Sequence, residues 1–267
     1  MNQNEELEYK KNILKLALFV GELMIKNGAE TSRVEDSVLR ICRSRGFYHV
    51  NIFTTPTVII ISDEKFDGFS FMKTIQSRGI NLNKISLLNS FSREFVSDKE
   101  YDIDNAIARL YEIQDVKPYP LWLFYSCTGI ASACFACLLG GNYVLNFILT
   151  FIIAIFAAIT YDKTMKISAI SAFSCLVSSF LIALSGVLLV EIGILDDPKM
   201  LIVGAIMPLL PGVAFIKAIR DLISGNLISG NLISGISRAF DAAMIIIAIA
   251  SGVGFVLDTW YRIGGPF

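Results

Sequence analysis

After Lys117 the sequence turns into long apolar runs separated by short polar stretches, and this pattern directs the chain toward a membrane fold. The runs are Leu121–Leu139, Tyr143–Thr160, Ile167–Val190, Met200–Ile216 and Phe240–Trp260. Each is near the ~20 residues a helix needs to cross a bilayer core. A single run is compatible with a buried core helix, but five in succession read as transmembrane helices. Gly140-Gly-Asn142 leaves so short a connection that the first two spans must form an antiparallel hairpin.

Composition changes at the same boundary. Of 23 Lys+Arg and 24 Asp+Glu, 16 and 17 precede Pro118. Neither half has the basic excess that a nucleic-acid groove needs to neutralise phosphates, which excludes that class. The N-terminus opens polar and acidic (Glu5, Glu6, Glu8) with no apolar segment behind basic residues, so it does not read as a secretory signal. The chain thus divides into a cytosolic domain, 1–117, and a transmembrane domain, 118–267. Positive residues favour the cytosolic side. Lys163 and Lys166 in an expected Asp162–Lys166 loop, with Lys217, Arg220 and Arg238 further on, oppose Glu191, Asp196 and Asp197 in the intervening loop. This predicts the N-terminus inside and the C-terminus outside.

The first domain mixes periodicities and reads as α+β. Apolar residues recur at helical spacing from Glu5 to Lys26, and Asn27-Gly28 supplies the stop. Ser32-Arg-Val-Glu35 has the form of a capping box that opens a second helix to about Arg45. His49–Thr55 and Thr57–Ser62 read as strands around Pro56, with the turn at Asp63–Gly68 and a further strand over Phe69–Gln76. Lys84–Phe91 fits a strand or a short helix. Tyr101–Gln114 fits a helix with Asp102 and Asp104 at its positive end.

The fourth span carries the sharpest chemical signal, Met207-Pro-Leu-Leu-Pro-Gly212. Each proline removes an N–H and disfavours helix in the residue before it, so the span should break or kink there. Carbonyls near Gly204 and Met207 would lose partners. The N–H groups after Gly212 would form a new, partly positive helix N-terminus suited to a carboxylate, the arrangement that discontinuous transporter helices use; the alternative is a kink that serves only shape. Pro208, Pro211 and Gly212 are therefore candidate substrate-binding positions, with Arg220 and Arg238 as candidates for gathering an anion.

Ser-Gly-Asn-Leu-Ile repeats at Ser224 and Ser229, a period that fits neither helix nor strand, and Lys217–Arg238 is expected as a cytosolic-side loop or re-entrant turn. Asp221 and Asp241 are candidates for proton coupling, because a charge near bilayer depth costs about 2.5–3.5 kcal/mol and is usually functional. Arg238 and Asp241, three residues apart, can pair on one helix face. Arg220, Arg238 and Asp162 are also compatible with simple interfacial anchoring.

Glu30, Arg33 and Glu35 form a dense ionisable cluster in the first domain, for which helix capping is the simpler reading. With His49 they define an alternative, a membrane-tethered hydrolase; a metabolite-sensing scaffold is a third reading. The five cysteines lack paired spacing and read as buried thiols, and no Walker or dinucleotide-binding glycine pattern occurs. The sequence calls for no metal and no cofactor.

Asn27-Gly-Ala-Glu-Thr-Ser-Arg-Val-Glu-Asp36, Thr55-Pro-Thr57, Pro208-Leu-Leu-Pro-Gly212 and Arg220-Asp221 through Gly235-Ile-Ser-Arg238 occur in this order and together resemble the threonine/serine exporter family of bacteria. The resemblance covers nearly the whole chain. It implies a non-enzymatic, proton-driven exporter of the bacterial inner membrane, acting on small hydrophilic metabolites such as threonine and serine, or on a dicarboxylate in two-component members. It also implies a separate small membrane subunit as partner. An odd number of spans cannot divide into two equal inverted halves, which likewise calls for a second subunit or a homo-oligomer. The extra Ser-Gly-Asn-Leu-Ile unit departs from the family pattern by shifting Arg220-Asp221 relative to Arg238.

Overall fold

The computed structural model describes residues 3–64, 70–76, 79–140, 143–224 and 230–264. The turns expected at Asp63–Gly68 and Gly140–Asn142, and most of the first Ser-Gly-Asn-Leu-Ile unit, lie largely or partly outside these residues. The chain forms two compact units, one of Met1–Pro118 with Lys217–Ser237, the other of Tyr119–Ile216 with Arg238–Phe267.

The first unit contains α1 (Gln3–Lys26), α2 (Thr31–Ser44), β1 (Val50–Thr54), β2 (Val58–Asp63), β3 (Ser70–Thr74), α3 (Leu82–Ser97) and α4 (Ile103–Asp115). The strands form an antiparallel meander in the order β1-β2-β3. Thr55 turns the first hairpin: its Oγ1 accepts from the Val58 N–H at 3.0 Å and its own N–H donates to the Val58 carbonyl at 2.8 Å. Ile59 and Ile61 alternate into a core shared with Leu14, Val20 and Met24 of α1, Val34, Val38 and Ile41 of α2, and Phe91 and Phe95 of α3.

The segment read as strand or short helix at Lys84–Phe91 is helical, and Asn81 caps it by accepting from the Lys84 N–H at 3.0 Å. Asp102 caps α4 through the Asn105 N–H at 3.2 Å. The expected Ser32–Glu35 capping box does not form. Helix α2 begins two residues earlier, with Glu30 in extended conformation at the N-cap and Thr31 buried.

The second unit contains α5 (Leu121–Leu138), α6 (Tyr143–Ser168), α7 (Ser171–Glu191), α8 (Lys199–Ile206), a 3-10 turn (Met207–Leu209), the start of α9 (Gly212–Ser224) and most of α10 (Gly230–Ile263). Among the described residues, four helices are long and apolar enough to cross a membrane. Lys199–Leu209 and Gly212–Ile223, bent by 56°, supply a fifth if they cross as one span. The chain is an α-helical membrane bundle with a small sheet.

Two connections expected as loops are helical. Asp162–Lys166 lies within the last turns of α6, and Lys217–Ser224 continues α9, with α10 running from Gly230. In both places hydropathy falls while helical hydrogen bonding continues, so the end of an apolar run does not mark the end of its helix.

Candidate functional site

The two prolines break the fourth span as their chemistry requires. Helix α8 stops at Ile206, and Leu210 adopts an extended conformation before Pro211. The carbonyls expected to be left without partners are recaptured locally. Pro208 cannot donate to Gly204, and the Met207 N–H does so instead; Pro211 cannot donate to Met207, and the Leu210 N–H does so at 3.3 Å. Tightening from α to 3-10 shifts each donor by one residue, which is how the chain avoids orphaned carbonyls in an apolar setting.

The break leaves its polarity on the other side. The first bond of α9 is Phe215 N–H to the Pro211 carbonyl at 2.9 Å, so the N–H groups of Val213 and Ala214 precede any intrahelical donation. Gly212 is exposed, and a Cβ placed on it would meet no described atom within 4 Å. The positive end of α9 therefore faces open space at Pro211–Gly212.

Further along α9, the first unit brings together two sequence motifs some 190 residues apart. Lys217 Nζ donates to the Gly28 carbonyl at 2.6 Å, and Arg220 Nη1 contacts Glu30 Oε1 at 3.1 Å. Glu30, whose side chain is only 16% exposed, also has Arg33 Nε within 3.8 Å of its other oxygen. Gly28 makes this turn possible. Its φ of +87° is one that side-chain-bearing residues avoid, and a Cβ there would come within 2.9 Å of the Gly79 carbonyl. The turn is fixed from behind by the Gly79 N–H on the Lys26 carbonyl and the Asn81 N–H on the Asn27 carbonyl. Asp221, next to Arg220, is buried.

The remaining candidates lie elsewhere. Arg238 and the exposed Asp241 sit one turn apart on α10. Glu35 faces β1, where burial pushes its carboxyl above the usual carboxylate range and the Thr54 backbone N–H acts the other way. His49 is exposed, and its carbonyl accepts from the Glu64 N–H at 3.3 Å. Glu30 thus belongs to the α9 contact with Arg33 beside it, and among the described contacts none joins Glu35 or His49 to them. Cys42 and Cys175 are buried, whereas Cys127 and Cys134 are exposed on α5, contrary to the reading of all five as buried thiols. Among the described residues no cluster is placed to hold a metal ion.

Sequence reasoning used Lys217 only as a topological charge and missed its role on Gly28. No local pattern announces a contact across so much chain, although the obligatory glycine turn is a visible sign that something approaches the backbone there.

A protein family described as "Putative threonine/serine exporter" matches residues 15–260. The chain is 24% identical to a protein named probable succinate transporter subunit YjjP from Escherichia coli (strain K12), over 96% of this chain and 97% of that one. It is 22% identical to the protein of the same name from Klebsiella aerogenes, over 94% and 95%. No solved structure matches the chain.

Proposed function

The chain belongs to the threonine/serine exporter family, and from that premise we propose that it is the larger subunit of a secondary exporter in a bacterial inner membrane, moving a small carboxylate-bearing metabolite out of the cell. The observation that carries this reading is the broken span, with Lys199–Leu209 and Gly212–Ile223 bent by 56° and a helix N-terminus open at Gly212. A substrate carboxylate docks on the N–H groups that follow Pro211 and Gly212, with Pro208 holding the preceding turn in its 3-10 form. Arg220, tied to Glu30, and Arg238 supply positive charge that draws the anionic group from the cytosol. Asp221, buried on α9, and Asp241, on α10, are the carboxylates that handle the coupling proton.

The substrate is an amino acid such as threonine or serine, as in the family's description, or a dicarboxylate, as in the relatives' printed name. The word subunit in that name supports a small membrane partner that completes the pathway; so does the odd total of five spans that results if the bent pair crosses as one. Lys163, Lys166, Lys217 and Arg220 favour a cytosolic first domain, while Glu191, Asp196 and Asp197 favour the outside for the α7–α8 connection.

Pro208→Ala combined with Pro211→Ala restores two N–H donors and a continuous helix. The expected outcome in proteoliposomes is loss of solute exchange with membrane insertion intact; exchange at the wild-type rate contradicts the broken-helix site.

A further inference from the structure

Within the transmembrane unit four hydroxyl- or amide-bearing side chains carry a buried oxygen without a hydrogen-bond partner among the described residues: Ser132 Oγ on α5, Asn146 Oδ1 and Thr150 Oγ1 on α6, and Ser178 Oγ on α7. Exposure is 0%, 6%, 0% and 0% respectively. Serine and threonine in membrane helices ordinarily satisfy themselves by donating to a carbonyl one turn back, as Thr160, Thr164 and Ser185 do here at 2.7–2.9 Å. That Ser132 and Thr150 do not makes them exceptions that need a reason.

The helix register brings the three on α5 and α6, Ser132, Asn146 and Thr150, toward one level. Asn146 and Thr150 lie one turn apart on the buried stripe of α6 that continues through Ala154 and Ala157. On α5, a Cβ at Gly129 would meet Phe151 and Ile155 of α6 at 2.9 Å, which fixes the antiparallel pairing. Advancing along α5 from that contact places Ser132 level with Thr150 and Ala136 level with Asn146. Ala136 touches α8, where a Cβ on Gly204 would come within 2.8 Å of the Ala136 N and 2.6 Å of its Cβ. Gly204 is one turn before the break at Met207. The unpartnered oxygens of α5 and α6 therefore lie at the depth where α8 ends.

We infer that Ser132, Asn146 and Thr150 form a second substrate-contacting position, one that recognises an uncharged hydrogen-bond-donating group, in the first instance a hydroxyl, on the solute whose carboxylate is held at the α9 N-terminus. The chemistry follows from the donor and acceptor inventory. Asn146 Oδ1 only accepts, the two hydroxyls donate or accept, and a solute hydroxyl both donates to the first and accepts from the others. The fully buried polar residues described in this unit are Ser132, Asn146, Thr150, Ser174, Ser178 and Ser179, all neutral, so none of them balances a second ionised carboxylate. This inference rests on the transport reading above.

The test compares solutes that differ by one hydroxyl, serine against alanine and malate against succinate, in counterflow by the full chain with its small partner subunit. Variants are Ser132→Ala, Asn146→Leu and Thr150→Val, which keep approximate shape. The wild type is expected to prefer the hydroxylated member of at least one pair by about tenfold or more, the scale set by leaving one buried polar group unpaired against the analogue. Asn146→Leu and Thr150→Val are expected to erase the preference while exchange of the deoxy solute persists. A wild type indifferent to the hydroxyl, or variants that keep the preference, overturns the inference. Absence of all exchange in the wild type counts against the transport reading instead. The position is then judged by thermal stabilisation of the purified chain with the same four solutes: a hydroxyl-dependent shift lost in the variants sustains it, and equal shifts overturn it.

Discussion

Lys10 and Asp63 form a buried ion pair whose loss is costly. Their side chains are 4% and 2% exposed, and Nζ lies 2.6 Å from Oδ2, joining α1 to the end of β2. Removing one partner of a buried pair strands a charge, at about 3–5 kcal/mol, whereas replacing both with apolar groups of similar size is often near neutral. Lys10→Met should therefore accelerate hydrogen exchange of the β2 amides strongly, and Lys10→Met with Asp63→Leu should recover most of the protection; a double variant as labile as the single one would contradict this.

Glu35 makes the opposite kind of prediction. Burial raises its carboxyl above the ordinary value, so the protonated form favours the folded state, and that contribution is lost as pH rises through the folded pKa. Glu35→Gln should be the more stable protein at neutral pH, with the advantage closing on acidification through the carboxylate range. Thermal unfolding across pH measures it, and a gap that widens in acid would refute it. Cys42, whose thiol burial pushes up to about 12, has too little thiolate for ready alkylation in the folded chain. None of the Lys10–Asp63 pairing was legible in the sequence, because a lysine in an amphipathic helix and an aspartate at a strand end look like ordinary surface residues until the tertiary fold apposes them.

At the scale of elements, the apolar runs and the paired prolines were legible because they act through local rules, bilayer thickness and the missing proline N–H. Helix ends were less so. Helix α9 continues past Ile216 because its buried face passes to Ala218 and Asp221, a pattern that a hydropathy run cannot register. The part of α9 from Lys217 onward docks on the Gly28–Glu30 turn within the first unit. The Arg220–Glu30 pair is partly exposed, so its effect on stability should be small, about 0.2–1 kcal/mol. Its effect on the position of α9 should be larger. Arg220→Glu is expected to slow exchange several-fold, and adding Glu30→Arg should restore much of it. Failure of the reversed pair to improve on the single variant would show that the contact does not position α9.

For the whole molecule, chain order and spatial order differ: residues 217–237 are grouped with the first 118 residues, although nearly a hundred membrane-associated residues separate them in sequence. A division read from composition alone places every residue after Lys117 in one domain, since composition reports local solvent preference and cannot show where a later helix returns. Asn27–Asp36 and Arg220-Asp221, two of the segments on which the family resemblance rests, are linked by this return through Lys217–Gly28 and Arg220–Glu30.

The most direct test is counterflow of labelled threonine, serine and succinate into proteoliposomes holding the folded full chain, with and without the small membrane subunit. The expected result is saturable exchange of at least one of these solutes that depends on the second subunit. A folded, correctly inserted chain that exchanges none of them in either preparation would contradict it.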